Sequence, residues 1–256
     1  MPFSAIDINS ETAHRTFSRQ AGWTRAARDY VLSQVGVLPG TRLLEVGCGE
    51  GVICADLRRS GAAVYGVDVR LKALQFARQL YADSCAWTAG DALALPYPTG
   101  CFDGAACHFL LLWLTDPLAG LKEMRRVVRS GGWVAVMAEP DYGGRIDYPP
   151  ELAAIGEKQS QALARQGADT NMGRKLSGLL HAAGLQQVET ALLGGQWRGA
   201  PAQVDWQEEW GTITADLGDD LSTAELEHLK ARDALAWQTG ERVLYVPTFY
   251  GWGRVP

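Results

Sequence analysis

Two hydrophobic periods alternate along this chain, and they predict strands and helices in turn. Short apolar runs of the kind that form buried parallel strands begin with Leu43, Leu44 and Val46. Between these runs, apolar residues recur at helical spacing. The predicted strands are 43–46, 64–69, 85–89, 102–108, 133–137, 185–193 and 242–254, and the predicted helices are 13–35 (one or two), 52–60, 71–80, 118–129, 150–166, 171–183 and most of 200–238. This alternation predicts an α/β fold whose mostly parallel, seven-stranded sheet carries helices on both faces.

A glycine-rich loop follows the first predicted strand. Gly47, Gly49 and Gly51 occupy alternate positions, and the helix 52–60 begins directly after them. Such a loop turns sharply and lets a ligand lie against bare main chain, while the helix start offers N–H groups to a nucleotide-like ligand. The dinucleotide fingerprint G-x-G-x-x-G is incomplete, because Val52 stands where its third glycine would be.

An acidic residue ends the second predicted strand. Asp68 lies roughly 20 residues beyond the glycine loop, where a carboxylate can accept hydrogen bonds from both hydroxyls of a ribose. This position supports a ribose-containing ligand without choosing between ligands. The alternative is that Asp68 caps the amino end of the helix 71–80.

Three motifs along 40–140 carry a family resemblance. They are the pattern E-x-G-x-G-x-G that begins at Glu45, the triplet Gly90-Asp91-Ala92, and the segment from Glu123 to Gly132, which is close to E-x-x-R-V-L-x-P-G-G. Together they resemble class I S-adenosylmethionine-dependent methyltransferases of type 11, a group that includes ubiquinone- and menaquinone-biosynthesis enzymes and many small-molecule methyltransferases. The resemblance implies a Rossmann-like fold, S-adenosyl-L-methionine as cofactor and S-adenosyl-L-homocysteine as product.

The resemblance also implies which residues bind the cofactor. Asp68 is expected to bind the ribose, and Asp91 with Ala92 to frame the adenine. Further expected contacts are Glu45, Gly47, Cys48, Gly49, Gly51, Val69, Cys107 and His108. The N-terminal helix often folds over the cofactor in this family, so Arg19, Gln20, Trp23 and Thr24 are candidates for its methionine end. The alternative is a helix that only packs.

Methyl transfer requires alignment of nucleophile and methyl group, exclusion of water and, for some acceptors, a base. His108 follows the fourth strand, and its ordinary pKa of about 6.5 suits a base at neutral pH. Tyr142 is the second catalytic candidate. Their alternatives are a histidine hydrogen-bonded near the cofactor and an aromatic that packs in a lid. Asp141, Arg145 and Asp147 lie near the same sheet edge, and no metal site is predicted.

The organisation expected from the resemblance is a single methyltransferase domain over 1–256. Within it, 1–38 form an N-terminal helical cap, 39–140 the cofactor-binding core, and 141–184 with 200–240 the insertions that form a lid over the active site. Tryptophans gather outside the central stretch, and they either wall an apolar ligand pocket or pack the helices of a cap. They are Trp23, Trp197, Trp206, Trp210, Trp237 and Trp252.

Composition narrows the class of protein. The net charge of −5 argues against a nucleic-acid-binding surface, and no apolar run approaches a membrane span. Residues 1–12 lack the features of a signal peptide, and the five cysteines lack a C-x-x-C pair, so we expect a cytoplasmic protein with reduced thiols. The predicted function is methyl transfer to a small, apolar or aromatic metabolite. The alternatives are a protein or RNA methyltransferase, a cofactor-binding protein without catalysis, and an NAD-dependent oxidoreductase.

Overall fold

A computed structural model describes residues 10–81, 85–192, 194, 199–218 and 220–256, with side chains from His14 onward. The amino-terminal residues considered for a signal peptide therefore lie mostly outside it, as does Trp197. The helices are α1 (Ser10–Trp23), α2 (Arg25–Val35), α3 (Val52–Leu57), α4 (Leu71–Tyr81), α5 (Pro117–Val127), α6 (Ala153–Arg165), α7 (Met172–Ala182), α8 (Gln203–Leu217) and α9 (Thr223–Thr239). The strands are β1 (Arg42–Val46), β2 (Ala63–Asp68), β3 (Ala86–Ala89), β4 (Phe102–Cys107), β5 (Val128–Pro140), β6 (Ile146–Tyr148), β7 (Gln186–Leu192), β8 (Val243–Tyr245) and β9 (Thr248–Arg254).

The main sheet has seven strands in the order β3-β2-β1-β4-β5-β9-β7. Strands β1 to β5 pair in parallel, whereas β9 runs antiparallel to both β5 and β7. The strand order reverses between β1 and β4, which makes their carboxyl ends the topological switch point where open α/β sheets bind ligands. The predicted seven-stranded, mostly parallel fold is confirmed.

Helices cover both faces of this sheet. Leu43 and Leu44 are adjacent in β1 and both fully buried, yet they belong to different hydrophobic clusters because successive strand side chains point to opposite faces. The cluster around Leu44 includes Met124 from α5 and Leu180 from α7. The cluster around Leu43 includes residues of α2, α3 and α4.

A third hydrophobic cluster lies apart from the sheet, in the predicted lid. It joins α6, α8, α9 and the turn before α6, and its buried members are Leu152, Ile155, Trp210, Ile213, Leu217 and Leu226. Helix α7 is different, because Met172, Leu176 and Leu180 pack into the main core. The segment 141–184 is therefore not lid throughout, since the apolar stripe of α7 faces the sheet.

Several predicted element boundaries differ from the structure, and the strand expected over 133–137 spans Val128–Pro140. The helix expected over 118–129 ends at Val127, because Val128 already pairs with Phe102 as the start of β5. The last strand, expected as continuous over 242–254, is two strands. β8 pairs with the unpredicted β6 in a separate two-stranded sheet, and β9 joins the main sheet after Pro247. Proline has no N–H to donate to a ladder, so it separates the two strands.

Candidate functional site

The glycine loop closes back on the second strand. The N–H groups of Gly47 and Cys48 both donate to the carbonyl of Val67, at 2.8 and 3.0 Å. Gly51 has a φ of +81°, and a Cβ at this position would lie 2.4 Å from the Trp87 ring. Positive φ and the tight contact both require glycine here. The loop is thus packed against β2 and β3, at the carboxyl edge of the sheet.

Asp68 lies at the end of β2 beside this loop, and only 6% of the residue is exposed. Its Oδ2 accepts a hydrogen bond of 2.8 Å from the N–H of Gly49. Its Oδ1 accepts from Arg70, from the backbone N–H at 2.8 Å and from Nε at 3.2 Å. These bonds hold the carboxylate at the glycine loop. They do not cap α4, whose first turn begins with a bond from the Leu74 N–H to the Arg70 carbonyl.

Two further carboxyls of the glycine motif are buried. Burial raises the pKa of Glu45 in β1 to about 8. A hydrogen bond with the Cys54 thiol acts in the opposite direction and offsets part of this rise. Burial raises the pKa of Glu50, between Gly49 and Gly51, to about 7. Within the described part of the chain, Oε2 of each carboxyl is buried without a hydrogen-bond partner. Both groups are therefore poised to be protonated near neutral pH.

The residues expected around the adenine lie on the neighbouring loop. Asp91 is exposed, and its Oδ1 accepts a 2.9 Å hydrogen bond from the N–H of Leu93. Ala92 is half-buried against the main hydrophobic cluster, while Val69, the residue after Asp68, is 66% exposed. All three lie just beyond the carboxyl ends of β2 and β3, so the structure brings them to the same edge as Asp68.

His108 is the first residue after β4, beyond the fully buried Cys107. Its Nε2 lies 2.7 Å from the hydroxyl oxygen of Thr24, at the end of α1. Burial, followed by the nearby charge of Arg28, lowers the pKa of His108 to about 3. The imidazole is therefore a far weaker base than a free histidine, which disfavours His108 as a general base at neutral pH.

A buried glutamate that the sequence reasoning missed shapes the loop after His108. Glu139 in β5 is fully buried and accepts backbone hydrogen bonds from Leu110 (3.0 Å), Leu111 (2.7 Å) and Leu112 (3.2 Å). Phe109, between His108 and this turn, has a φ of +50°, which is unusual for a bulky residue and is found most often at functional sites. The sequence signal for Glu139 is an acidic residue that directly follows an apolar run.

Among the N-terminal candidates, Arg19 contacts helix α8, whereas Thr24 contacts His108. Arg19 pairs with Glu209 of α8 at 3.0 Å and with Glu208 at 3.6 Å, and its guanidinium lies 5.5 Å from the ring centroid of Trp23. Trp23 itself is 60% exposed. A role of Arg19 and Trp23 in cofactor binding thus stays a prediction, and the ion pairs of Arg19 join the N-terminal helix to α8.

Most of the other polar candidates are bound within the protein. Asp141 accepts two side-chain hydrogen bonds from Arg174, at 2.6 and 2.5 Å, and the Nε of Arg145 donates to Asp147 at 2.6 Å. Tyr142 is half-buried in the short turn after β5, and burial raises the pKa of its hydroxyl. A catalytic role of Tyr142 stays a prediction.

Two of the tryptophans outside the central stretch, Trp206 and Trp210, form hydrogen bonds within the protein. The indole N–H groups of Trp206 and Trp210 both donate to Asp233 Oδ2, at 2.6 and 3.0 Å, and Arg242 Nε donates to Oδ1 at 2.6 Å. Trp210 is buried in the lid cluster. Trp206 and Trp210 therefore pack helix α8 against α9.

The described residues match neither the pattern of a metal site nor that of a membrane-spanning helix. They include no group of three His, Cys, Asp or Glu side chains arranged to hold a metal ion. Nor do they include a helix that is both long and apolar enough to cross a membrane.

Comparison with known proteins identifies the central part of the chain. Residues 44–136 match the family model described as a methyltransferase domain. The demethylmenaquinone methyltransferase of Corynebacterium kroppenstedtii is 36% identical over 114 residues, which cover 44% of this chain and 47% of that protein. Residues 44–136 form a class I, type 11 methyltransferase domain. The chain spans about half the length of this relative and of the similar enzyme from Renibacterium salmoninarum, at 47% and 52%.

Solved methyltransferase structures share the fold over most of the chain. A putative methyltransferase from an antibiotic biosynthesis pathway of Anabaena variabilis has a TM-score of 0.66 at 17% identity, covering 90% of this chain and 96% of its own. Phosphoethanolamine N-methyltransferase 2 of Haemonchus contortus, solved in complex with S-adenosyl-L-methionine, has a TM-score of 0.57 at 14% identity, covering 89% and 51%. At these identities the likeness concerns the fold of the domain.

Proposed function

We propose that this protein transfers a methyl group from S-adenosyl-L-methionine to a small, apolar or aromatic metabolite, with S-adenosyl-L-homocysteine as product. The observation that supports this most is Asp68, whose carboxylate is held at the glycine loop by the N–H of Gly49, at the switch point of the sheet. A buried carboxylate at this position is suited to bind a ribose diol. The names of the relatives support a quinone-like or other small acceptor.

The described residues fit such a cofactor. Asp68 would hold the ribose, the exposed Asp91 with Ala92 the adenine, and the loop of Gly47, Gly49 and Gly51 the methionyl portion. Glu45, Cys48, Val69, Cys107 and His108 would complete the surroundings, with Arg19 and Trp23 on the N-terminal side. Oε2 of Glu45 and Oε2 of Glu50 are buried near the same loop without a hydrogen bond among the described residues, and a polar ligand can satisfy them. Glu50 Oε2 lies 3.9 Å from Nδ1 of His14.

The cofactor supplies a methyl group already activated by its sulfonium. The protein's part is to hold the acceptor in line with that methyl group and to exclude water. The turn of Leu110 to Leu112, fixed by Glu139, holds His108 and Phe109 at the carboxyl edge of β4. The helices α6, α8 and α9 form the lid that would cover a bound acceptor.

Formation of S-adenosyl-L-homocysteine tests the proposal. The full chain is incubated with the cofactor and separate panels of phenols and hydroquinones, small amines, a peptide mixture and transfer RNA. Turnover with a phenol or hydroquinone, lost in the Asp68→Asn variant and kept in the Asp29→Asn variant, is the expected result. Turnover with peptide or RNA alone supports the macromolecular alternative. Cofactor binding with no turnover on any panel supports a non-catalytic binding protein.

A further inference from the structure

A chain of hydrogen bonds leads from a buried arginine to His108. Arg28 is 1% exposed, and its Nε and Nη2 donate to Asp56 Oδ2 at 3.1 and 2.6 Å. Its Nη1 donates at 2.6 Å to the hydroxyl oxygen of Thr24, which is 2.7 Å from His108 Nε2. Arg28 and Asp56 belong to none of the cofactor or catalytic predictions. The spacing of Thr24 and Arg28, four residues apart on α2 and the residue before it, places both on one helical face.

The hydroxyl of Thr24 has a single proton to give. Because a guanidinium only donates, the Thr24 oxygen accepts from Arg28, and its own proton goes either to His108 Nε2 or to the carbonyl of Gln20 or Ala21. The two carbonyls are each 3.3 Å away, against 2.7 Å for the imidazole nitrogen. The cation also makes the hydroxyl a stronger donor, and it disfavours a second N–H donor aimed at the same oxygen.

This arrangement favours one tautomer of His108. If Nε2 accepts from Thr24, the ring proton is on Nδ1. Among the described residues, the hydrogen bond of the His108 ring is the one between Nε2 and Thr24, and Nδ1 has no partner there. His108 is half-buried just beyond β4, so part of its ring is accessible at the carboxyl edge of the sheet. An N–H there recognises an oxygen acceptor, which is the opposite of accepting a proton.

We infer that Arg28 and Thr24 are positioning residues that fix His108 as a neutral hydrogen-bond donor, with its Nδ1–H directed at an oxygen atom of a bound ligand. The ligand chemistry is a carboxylate, carbonyl or oxyanion oxygen, from either the methionyl end of the methyl donor or the methyl acceptor. The inference rests on the proposed function for the identity of those ligands, but not for the state of the ring. His108 would then bind an oxygen atom of the ligand as a hydrogen-bond donor and would not act as a general base.

Nuclear magnetic resonance on the ligand-free full chain tests the state of the ring. The chain has four histidines, so protein with ¹⁵N-labelled histidine gives few ring signals, and the His108→Gln variant identifies the relevant one. We expect a neutral ring protonated at Nδ1 throughout pH 5 to 8. An Nε2–H ring, or an imidazolium above pH 5, overturns the inference.

Variants then test the two positioning residues. Thr24→Val removes the donor to Nε2, so we expect the ring to lose its single tautomer, whereas Thr24→Ser keeps the hydroxyl and the wild-type signal. Arg28→Met should raise the pKa of His108 toward its ordinary value. Arg25→Met is the matched control, since Arg25 pairs with the same Asp56 at 3.1 Å. If Arg28→Met does not fold, the Thr24 pair still decides, and an unchanged tautomer in Thr24→Val contradicts the inference.

Two probes distinguish the possible sources of the oxygen. S-adenosyl-L-homocysteine has the methionyl carboxylate, and 5′-deoxy-5′-methylthioadenosine lacks it. A shift of the Nδ1–H signal with the first probe alone assigns the donor to the cofactor carboxylate. Binding of both probes without a shift assigns it to the methyl acceptor. If neither probe binds, the proposed function fails, while the tautomer measurement stands by itself. A change to an Nε2–H ring on binding overturns the inference.

Discussion

The carboxylate of Asp68 is shared between the glycine loop and Arg70. One oxygen accepts from the N–H of Gly49 at 2.8 Å, and the other accepts from the backbone and Nε of Arg70 at 2.8 and 3.2 Å. The Nη2 of Arg70 also lies over Gly49, 2.9 Å from where a Cβ would be. These three bonds leave about one of the four acceptor sites of the carboxylate, so a ribose that binds Asp68 through both hydroxyls would compete with the guanidinium.

Replacing Arg70 should strengthen cofactor binding. The Arg70→Ser variant keeps the backbone N–H but removes the competing guanidinium, which is 38% exposed. An ion pair with one exposed partner contributes about 0.2–1 kcal/mol, so we expect S-adenosyl-L-methionine to bind about 1.4- to 5-fold more tightly. Titration calorimetry measures this, with Lys72→Ser as a control for the loss of one positive charge. Weaker binding in Arg70→Ser would mean that the arginine contacts the ligand.

The close packing of the glycine loop predicts a large effect of one methyl group. Gly51→Ala imposes a positive φ on alanine and a Cβ contact of 2.4 Å with Trp87. Strain and overpacking together should lower the free energy of unfolding by about 2–4 kcal/mol. Denaturant titration measures it. Gly178→Ala is the control, because Gly178 lies exposed in α7 with nothing near its missing Cβ, and alanine there should stabilise by about 0.5–1 kcal/mol.

The pKa of Glu45 predicts a pH dependence of stability. Its pKa is about 8 in the folded protein against an ordinary value of 4.5, so folding takes up a proton between these two pH values. The contribution of Glu45 to the free energy of unfolding therefore falls as pH rises from about 4.5 to 8. Glu45→Gln should give a flatter profile than wild type over this window, measured by denaturant titration at several pH values. A slope identical to wild type would show that Glu45 is already ionised.

A buried acid, Asp233 of α9, joins this helix to α8 and to Arg242. Asp233→Asn weakens the bonds to Trp206, Trp210 and Arg242, whose side chain is 3% exposed. Loss of a partner from a buried pair should lower the free energy of unfolding by about 3 kcal/mol. The control is Asp220→Asn, which breaks the exposed pair with Arg165 and should cost less than about 1 kcal/mol. Equal effects of the two variants would contradict a central role for Asp233.

The sequence was sufficient for the sheet because each core strand has a local signal. The apolar run of Leu43 and Leu44 specifies a strand buried on both faces, and the position of Asp68 after the next run follows from strand length. The split between β8 and β9 was missed, because hydrophobicity continues across Pro247 and only the pairing with β6 separates the strands.

The site was less accessible from sequence, because its properties depend on contacts between distant residues. The pKa of His108 is set by burial and by Arg28, 80 positions earlier in the chain. The role of Glu139 depends on three N–H groups in a loop from another strand. The family resemblance predicts a cofactor contact for Arg19, and no sequence pattern indicates its pairing with Glu209 of α8. Hydrophobic periodicity along the sequence does not predict such contacts between distant residues.

In the proposed function, Asp68 and the glycine loop bind S-adenosyl-L-methionine. The most direct measurement is calorimetric titration of this ligand and, separately, of NAD into wild type, Asp68→Asn and the exposed control Asp29→Asn. We predict micromolar binding of S-adenosyl-L-methionine alone, unchanged in Asp29→Asn and weakened about tenfold or more in Asp68→Asn, a loss of about 1.4 kcal/mol or more. Absence of binding to wild type, or equal affinity in Asp68→Asn, would contradict the account.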